Sequence, residues 1–166
     1  LYGYPEEQQQ YIPNEKGYIA VYAYDSRMND SEEVDAIKAY AKEKGLKVYS
    51  IGFYHKWADR NINVSPLQLL GWIKNAAFVI TDTFHGSVIS IICNSKLVVK
   101  VRESNRNKLT SLLGEFDLSD RTIESFSEID DVVQKEINFD HVNQLLAQKQ
   151  KDSLKYLTNA IEGKDE

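Results

Sequence analysis

Val79-Ile80-Thr81-Asp82-Thr83-Phe84-His85-Gly86-Ser87-Val88-Ile89-Ser90-Ile91-Ile92 is the stretch whose reading decides the fold. An apolar run ending at Ile80 stops at polar, turn-forming residues, and a second, largely apolar run begins after His85-Gly86. That pattern predicts a buried strand, a tight turn and a buried helix, with Thr83 as N-cap and His85 in the first helical turn. Open α/β sheets bind ligands where a strand's C-terminal end feeds a helix N-terminus, because unpaired N–H groups and the helix dipole point outward there. Thr83, Phe84, His85, Gly86 and Ser87 are therefore candidate ligand contacts, with Gly86 allowing close approach to the backbone.

The flanking segments extend the pattern on both sides. Gly17 to Tyr24 is a continuous aromatic and β-branched run, the composition of a strand covered on both faces. Its end, Tyr24-Asp25-Ser26-Arg27, reads as a loop able to line the same crevice. Ser31-Glu32-Glu33 opens a helix with acidic residues at its positive end. That helix has an apolar stripe of Val34, Ile37, Tyr40 and Ala41, and it closes at Lys44-Gly45. Leu46 to Phe53 is a second strand and Tyr54 to Asn63 a loop. Ser65-Pro66 starts another helix with a good N-cap and a proline at the first position. Beyond the opening stretch, Lys96 to Val101 is a strand leading into the polar run Arg102 to Lys108. A short helix on Leu109, Leu112 and Leu113 stops at Gly114, and Arg121 to Phe126 is the last strand. Ile129 to Gln134 and Phe139 to Ile161 are helical. Four or five short strands alternating with helices give an α/β fold, a Rossmann-like parallel sheet with helices on both faces. The expected division is a linker or poorly ordered lead-in over 1–16, the sheet domain over 17–126, and C-terminal helices over 127–166.

Composition narrows the function. The 166 residues are 42% hydrophobic and 27% charged, ordinary for a globular domain with a proper core. A net charge of −5 lacks the basic face that nucleic acid requires, but leaves room for one small anion in a local pocket. The single cysteine, Cys93, excludes an internal disulfide and a cysteine-based zinc site, and reads as a small core residue. No apolar run approaches the roughly 20 residues that span a bilayer, and no signal peptide is visible, so a cytoplasmic setting is expected. No glycine-rich dinucleotide fingerprint or Walker loop occurs, and His55, His85 and His141 lack metal-ligand spacing. His55 and His141 read as solvated surface residues, and Trp57 as core or partner surface that sits in a polar loop where it could stack on a sugar. Arg102 and Arg106 follow the Lys96–Val101 strand and should share the edge with His85. Arg106, beside a helix start, would make a clamp for phosphate or carboxylate.

The residues Ser65-Pro66-Leu67-Gln68-Leu69-Leu70-Gly71-Trp72-Ile73-Lys74-Asn75-Ala76, then Val79 to Gly86, resemble the polysaccharide pyruvyl transferase family. That family reads Ser-Pro, a leucine-rich helix, Ile-x-Asn-Ala, a strand, and Thr-Asp-Ser-Phe-His-Gly. Thr83 replaces the commoner serine and keeps the hydroxyl. Asn105-Arg106 and Leu118-Ser119-Asp120-Arg121 resemble the family's arginine-containing turn and its Leu-x-x-Arg close, so the likeness covers about residues 17 to 126. It implies the C-terminal lobe of a glycosyltransferase-B-like enzyme that moves the enolpyruvyl unit of phosphoenolpyruvate onto a sugar diol. The product would be a pyruvate ketal in capsule, exopolysaccharide or cell-wall glycan. It implies His85 as the active-site histidine, Arg106 as the anion-binding residue, and a further arginine from an N-terminal half of the same protein. No cofactor or metal is implied, and a lipid-linked acceptor would bring the enzyme to the inner membrane surface. A nucleotide-sugar glycosyltransferase lobe and a non-catalytic binding lobe are the competing readings. The amphipathic tail leaves self-association open.

Overall fold

The sheet has six strands, all parallel, in the order β3-β2-β1-β4-β5-β6. They are β1 (Tyr18–Tyr22), β2 (Lys47–Ile51), β3 (Arg60–Ile62), β4 (Phe78–Thr81), β5 (Leu97–Lys100) and β6 (Thr122–Ile123). The computed structural model describes residues 13–163, so Leu1 to Ile12, most of the expected lead-in, lies outside the described residues. Period-2 alternation sorts the strand side chains. Tyr18, Ala20, Val79, Leu97 and Val99 enter one core cluster, and Ile19, Val21, Phe78, Ile80 and Val98 the other. Both clusters are apolar, which is why these strands read as continuous hydrophobic runs.

Among the described residues six α-helices cover the two faces: α1 (Ser31–Glu43), α2 (Pro66–Lys74), α3 (Phe84–Ile92), α4 (Arg106–Glu115), α5 (Ile129–Gln134) and α6 (Phe139–Glu162). Ile37 and Ala41 of α1 join Ile129 and Val132 of α5 on one face. Trp72 and Ile73 of α2, Ile91 of α3, Leu109 and Leu113 of α4, and Val142 of α6 pack on the other. The second half of α6 leaves Leu154, Tyr156, Leu157 and Ile161 exposed. Ser65 and Gln68 form a reciprocal capping box, with Pro66 in the first turn. Gly45 takes the left-handed conformation after α1 (φ 67°) at which the helix was expected to close. The chain runs outward from β1 to β3, then crosses back to β4. The strand order therefore reverses between β1 and β4, the place at whose C-terminal edge open α/β sheets bind ligands.

Three elements differ from expectation. The expected loop 54–63 contains β3, whose Tyr49–Arg60 and Ile51–Ile62 registers attach it to β2. An edge strand needs only one partner, so its side chains can stay polar, and Arg60 and Asn61 are exposed. Helix α4 begins at Arg106, a turn early, and passes through Gly114; the left-handed residue that follows it is Asp117 (φ 55°). The last strand shrinks to two residues because Arg121 leaves it. Its guanidinium, 1% exposed, pairs with Asp120 and donates to the carbonyls of Val132 (3.1 Å) and Lys135 (3.0 Å), satisfying the end of α5.

Candidate active site

At the end of β4 the backbone is held by a relay of hydroxyls. Thr81 Oγ1 donates to the Tyr22 carbonyl on β1 (2.7 Å), so it accepts from the Thr83 hydroxyl (3.0 Å). Thr83 Oγ1 in turn accepts from Gly86 N–H (2.9 Å), which makes Thr83 the N-cap of α3. Ser87 Oγ donates to the Thr83 carbonyl (3.0 Å), and Ser90 Oγ to the Gly86 carbonyl (2.7 Å). Thr83, Ser87 and Ser90 are buried, and their hydroxyls are committed inward.

Gly86 has a packing reason as well. A Cβ there would overlap the Thr81 hydroxyl and come within 2.8 Å of Thr83 Oγ1 and the Tyr22 ring. Gly86→Ala is expected to destabilise the fold by about 1–3 kcal/mol through overpacking. A denaturant melt measures it, and an unchanged midpoint would show that the turn can relax.

What the turn presents outward is Phe84 and His85, both exposed, with their rings edge-on at 6.1 Å. Among the described residues the His85 side chain makes no hydrogen bond or ion pair. The first backbone hydrogen bond of α3 runs from Ser87 N–H to the Thr83 carbonyl (3.1 Å). The N–H groups of Phe84 and His85 precede it and belong to the orphan donors of a helix start.

Behind this turn lies a charged knot centred on Asp82, which is fully buried. Arg102 Nε donates to Asp82 Oδ2 (2.6 Å) and Arg102 Nη2 to Glu33 Oε2 on α1 (3.0 Å). Arg27 lies 3.6 Å from Asp82 Oδ2, and the Asp82 carbonyl accepts from Arg27 (3.4 Å) and Asn105 (2.6 Å). Burial works against the Arg102 charge, but the bonds to Glu33 and Asp82 outweigh it and hold the guanidinium above its ordinary value. Asp82 Oδ1 is buried with no hydrogen-bond partner among the described residues.

The structure brings some of the expected site residues together and separates others. His85 and Arg106 begin α3 and α4, which pack on the same face, so both lie at the same edge on the same side of the sheet. Arg106 is paired with Glu124 (3.0 Å) and Glu103 (3.7 Å). Arg102 is drawn to the α1 face. Asp25 is exposed in the loop after β1, where its Oδ1 accepts from Tyr54 N–H (2.8 Å). Cys93 lies partly buried against the core; burial pushes its thiol up to about 11.

One loop residue needs correction. His55 is no solvated residue: it is 1% exposed, with Nδ1 2.8 Å from Ser50 Oγ and Nε2 3.0 Å from the Arg27 carbonyl. A carbonyl only accepts, so Nε2 carries a proton. The imidazole thereby ties the β2–β3 loop to the loop after β1. Trp57, read as core or partner surface, packs partly buried against the core around α1 and β2, with its indole N–H buried. His141, as expected, lies at the surface, half-exposed, with its Nε2 2.8 Å from Asp117 Oδ2.

Asp82 and His55 are the residues that motif reading passed over. For Asp82 a signal existed: Phe78, Ile80 and Asp82 fall on one face by alternation, which aims the carboxylate at α1 and not at solvent. For His55 none is visible, because its partners come from separate loops.

Among the described residues, no group of three histidine, cysteine, aspartate or glutamate side chains is placed to hold a metal ion, and no helix is long and apolar enough to cross a membrane. The family model described as polysaccharide pyruvyl transferase matches residues 7–99, more than half of the chain. The match takes in the loop with Asp25 and the whole of α3 with His85, while Arg102 and Arg106 lie beyond it. No curated protein and no solved structure matches the chain.

Proposed function

The chain belongs to the polysaccharide pyruvyl transferase family, and from that membership we propose that it is the C-terminal lobe of an enzyme that transfers the enolpyruvyl unit of phosphoenolpyruvate to a pair of sugar hydroxyls. The product is a pyruvate ketal in a polysaccharide or cell-wall glycan. Both hydroxyl oxygens bond to C2 of the enolpyruvyl unit, the C2–O bond to phosphate breaks, and the vinyl methylene takes up a proton. Of the two protons the hydroxyls lose, one is accounted for by the new methyl group and the other leaves with phosphate.

The observation that carries this reading is the placement of His85. It stands exposed at the first turn of α3, at the point where the strand order reverses, with no partner among the described residues. An imidazole so placed can shuttle protons between hydroxyl, vinyl carbon and phosphate. The orphan N–H groups of Phe84 and His85 suit an anion. Fixed positive charge is scarcer, because Arg27, Arg102 and Arg106 are each paired with carboxylates. This supports the reading that another lobe contributes a cationic wall. The apolar residues Leu154, Leu157 and Ile161 on α6 offer that lobe a surface to cover.

Thermal unfolding of the full-length protein tests the donor. Phosphoenolpyruvate at 100 times its Kd is expected to stabilise by about 2.7 kcal/mol, with no protection by nucleotide sugars. The reverse pattern would assign the chain to the nucleotide-sugar glycosyltransferases of similar two-lobed architecture.

A further inference from the structure

A second recess opens beside the α3 turn, across the tips of β1, β2 and β3. Its volume is about 320 Å³, and Asp25, Phe53, Tyr54, Asn61 and Asn63 help to line it. Its chemistry differs from that of the helix start. Among the described residues no lysine or arginine lines it, and its one charged group is the Asp25 carboxylate. Asp25 Oδ1 accepts from Tyr54 N–H, and among the described residues no bond engages Oδ2. The Asn61 carboxamide is spent on the His55 backbone, accepting from its N–H (2.7 Å) and donating to its carbonyl (3.1 Å), so that wall is rigid. The Asn63 carboxamide makes no hydrogen bond among the described residues. Phe53 stands edge-on to Tyr22 (5.1 Å) and Tyr24 (5.4 Å), while Tyr54 is 62% exposed.

The recess adjoins the candidate active site. The Tyr22 ring that meets Phe53 on one side also lies against the first turn of α3, where it would be met by any side chain at Gly86. One aromatic ring therefore separates the two.

We propose that this recess binds a neutral, hydroxyl-rich ring, the sugar unit that receives the enolpyruvyl group, and this rests on the transferase reading above. The lining sorts ligands by charge. A carboxylate with no cation beside it repels phosphoenolpyruvate and nucleotide diphosphates, whereas Asp25 Oδ2 and Asn63 can take sugar hydroxyls. The exposed Tyr54 ring supplies a flat apolar surface for the C–H face of the sugar. The donor goes to the helix start and the sugar to the recess, on either side of Tyr22.

The test is a titration of the 166-residue chain, followed by backbone amide chemical shifts, with methyl glucoside, methyl galactoside, methyl mannoside, phosphoenolpyruvate and UDP as probes. At least one methyl glycoside is expected to shift the Gly52–Tyr54 and Ile62–Asn63 amides saturably. Tyr54→Ala, a change at an exposed side chain, is expected to weaken that binding roughly three- to tenfold with the remaining spectrum unchanged. Asp25→Asn is expected to weaken it as well. Failure of all three glycosides to move these amides overturns the assignment, and so does their displacement by UDP or phosphoenolpyruvate instead. In the full-length enzyme Tyr54→Ala should raise KM for the acceptor and leave KM for the donor unchanged. An unaltered acceptor KM would sink the recess while leaving the transfer reaction standing. Absence of protection by phosphoenolpyruvate would sink the transferase reading without touching the glycoside shifts.

Discussion

Replacing His85 by alanine in the full-length enzyme is expected to lower turnover by about 10²- to 10⁴-fold, the usual contribution of a positioned acid–base group. Stability should hardly change. The side chain is exposed and makes no hydrogen bond among the described residues, and surface substitutions of that kind fall within about ±0.5 kcal/mol. Protection by phosphoenolpyruvate should persist, because the orphan N–H groups of the turn survive the substitution. The measurement is turnover under saturating donor together with a melting curve. Normal turnover would remove His85 from the mechanism. Tolerance at both His85 and Arg106, with partner binding lost on deletion of α6, would make the chain a binding lobe without chemistry.

Asp82→Ala is expected to act in the opposite way, on stability first. It leaves two guanidiniums, Arg27 and Arg102, facing a buried void, and removing one partner of a buried ion pair costs about 3–5 kcal/mol. Both arginines are nearly 30% exposed, so water relieves part of the loss and the low end, about 3 kcal/mol, applies. For a domain of this size that lowers Tm by roughly 6–12 °C. Arg102→Ala should cost less on top of Asp82→Ala than it does alone, since of its two carboxylate partners only Glu33 then remains. Additive losses would mean that the two side chains act independently. Activity should fall with stability, because Asp82 ties the loops after β1 and β5 to the α3 turn from behind.

The strand–turn–helix at Val79–Ile92 was legible because an apolar run, a hydroxyl cap and a glycine each demand the same local structure. Helices α2 and α1 were legible for similar reasons: a capping serine with proline in one, and the apolar stripe of Val34, Ile37, Tyr40 and Ala41 in the other. Strand β3 was hidden because its order comes from pairing with β2, and Arg60-Asn61-Ile62 carries no strand composition. The role of Gly86 was legible only in part. A small residue was expected beside the ligand, whereas the hydroxyls of Thr81 and Thr83 and the Tyr22 ring already require one there. The pairing of Arg102 with Asp82 and Glu33 depends on three elements meeting, which spacing along the chain cannot reveal. The same holds for the His55 bonds to Ser50 and Arg27.

The sheet also has consequences at its two rims. It ends on one side at β3, three residues long with Arg60 and Asn61 exposed, and on the other at β6, only two residues long. Neither rim offers enough free backbone for a foreign strand to zip onto, and a cation on the longer one discourages the attempt. Growth of the sheet from copy to copy, the first step toward fibrous aggregates, is thereby closed at both ends. Whatever joins this domain must meet it through side chains, on the helical faces or at the C-terminal edge of the sheet.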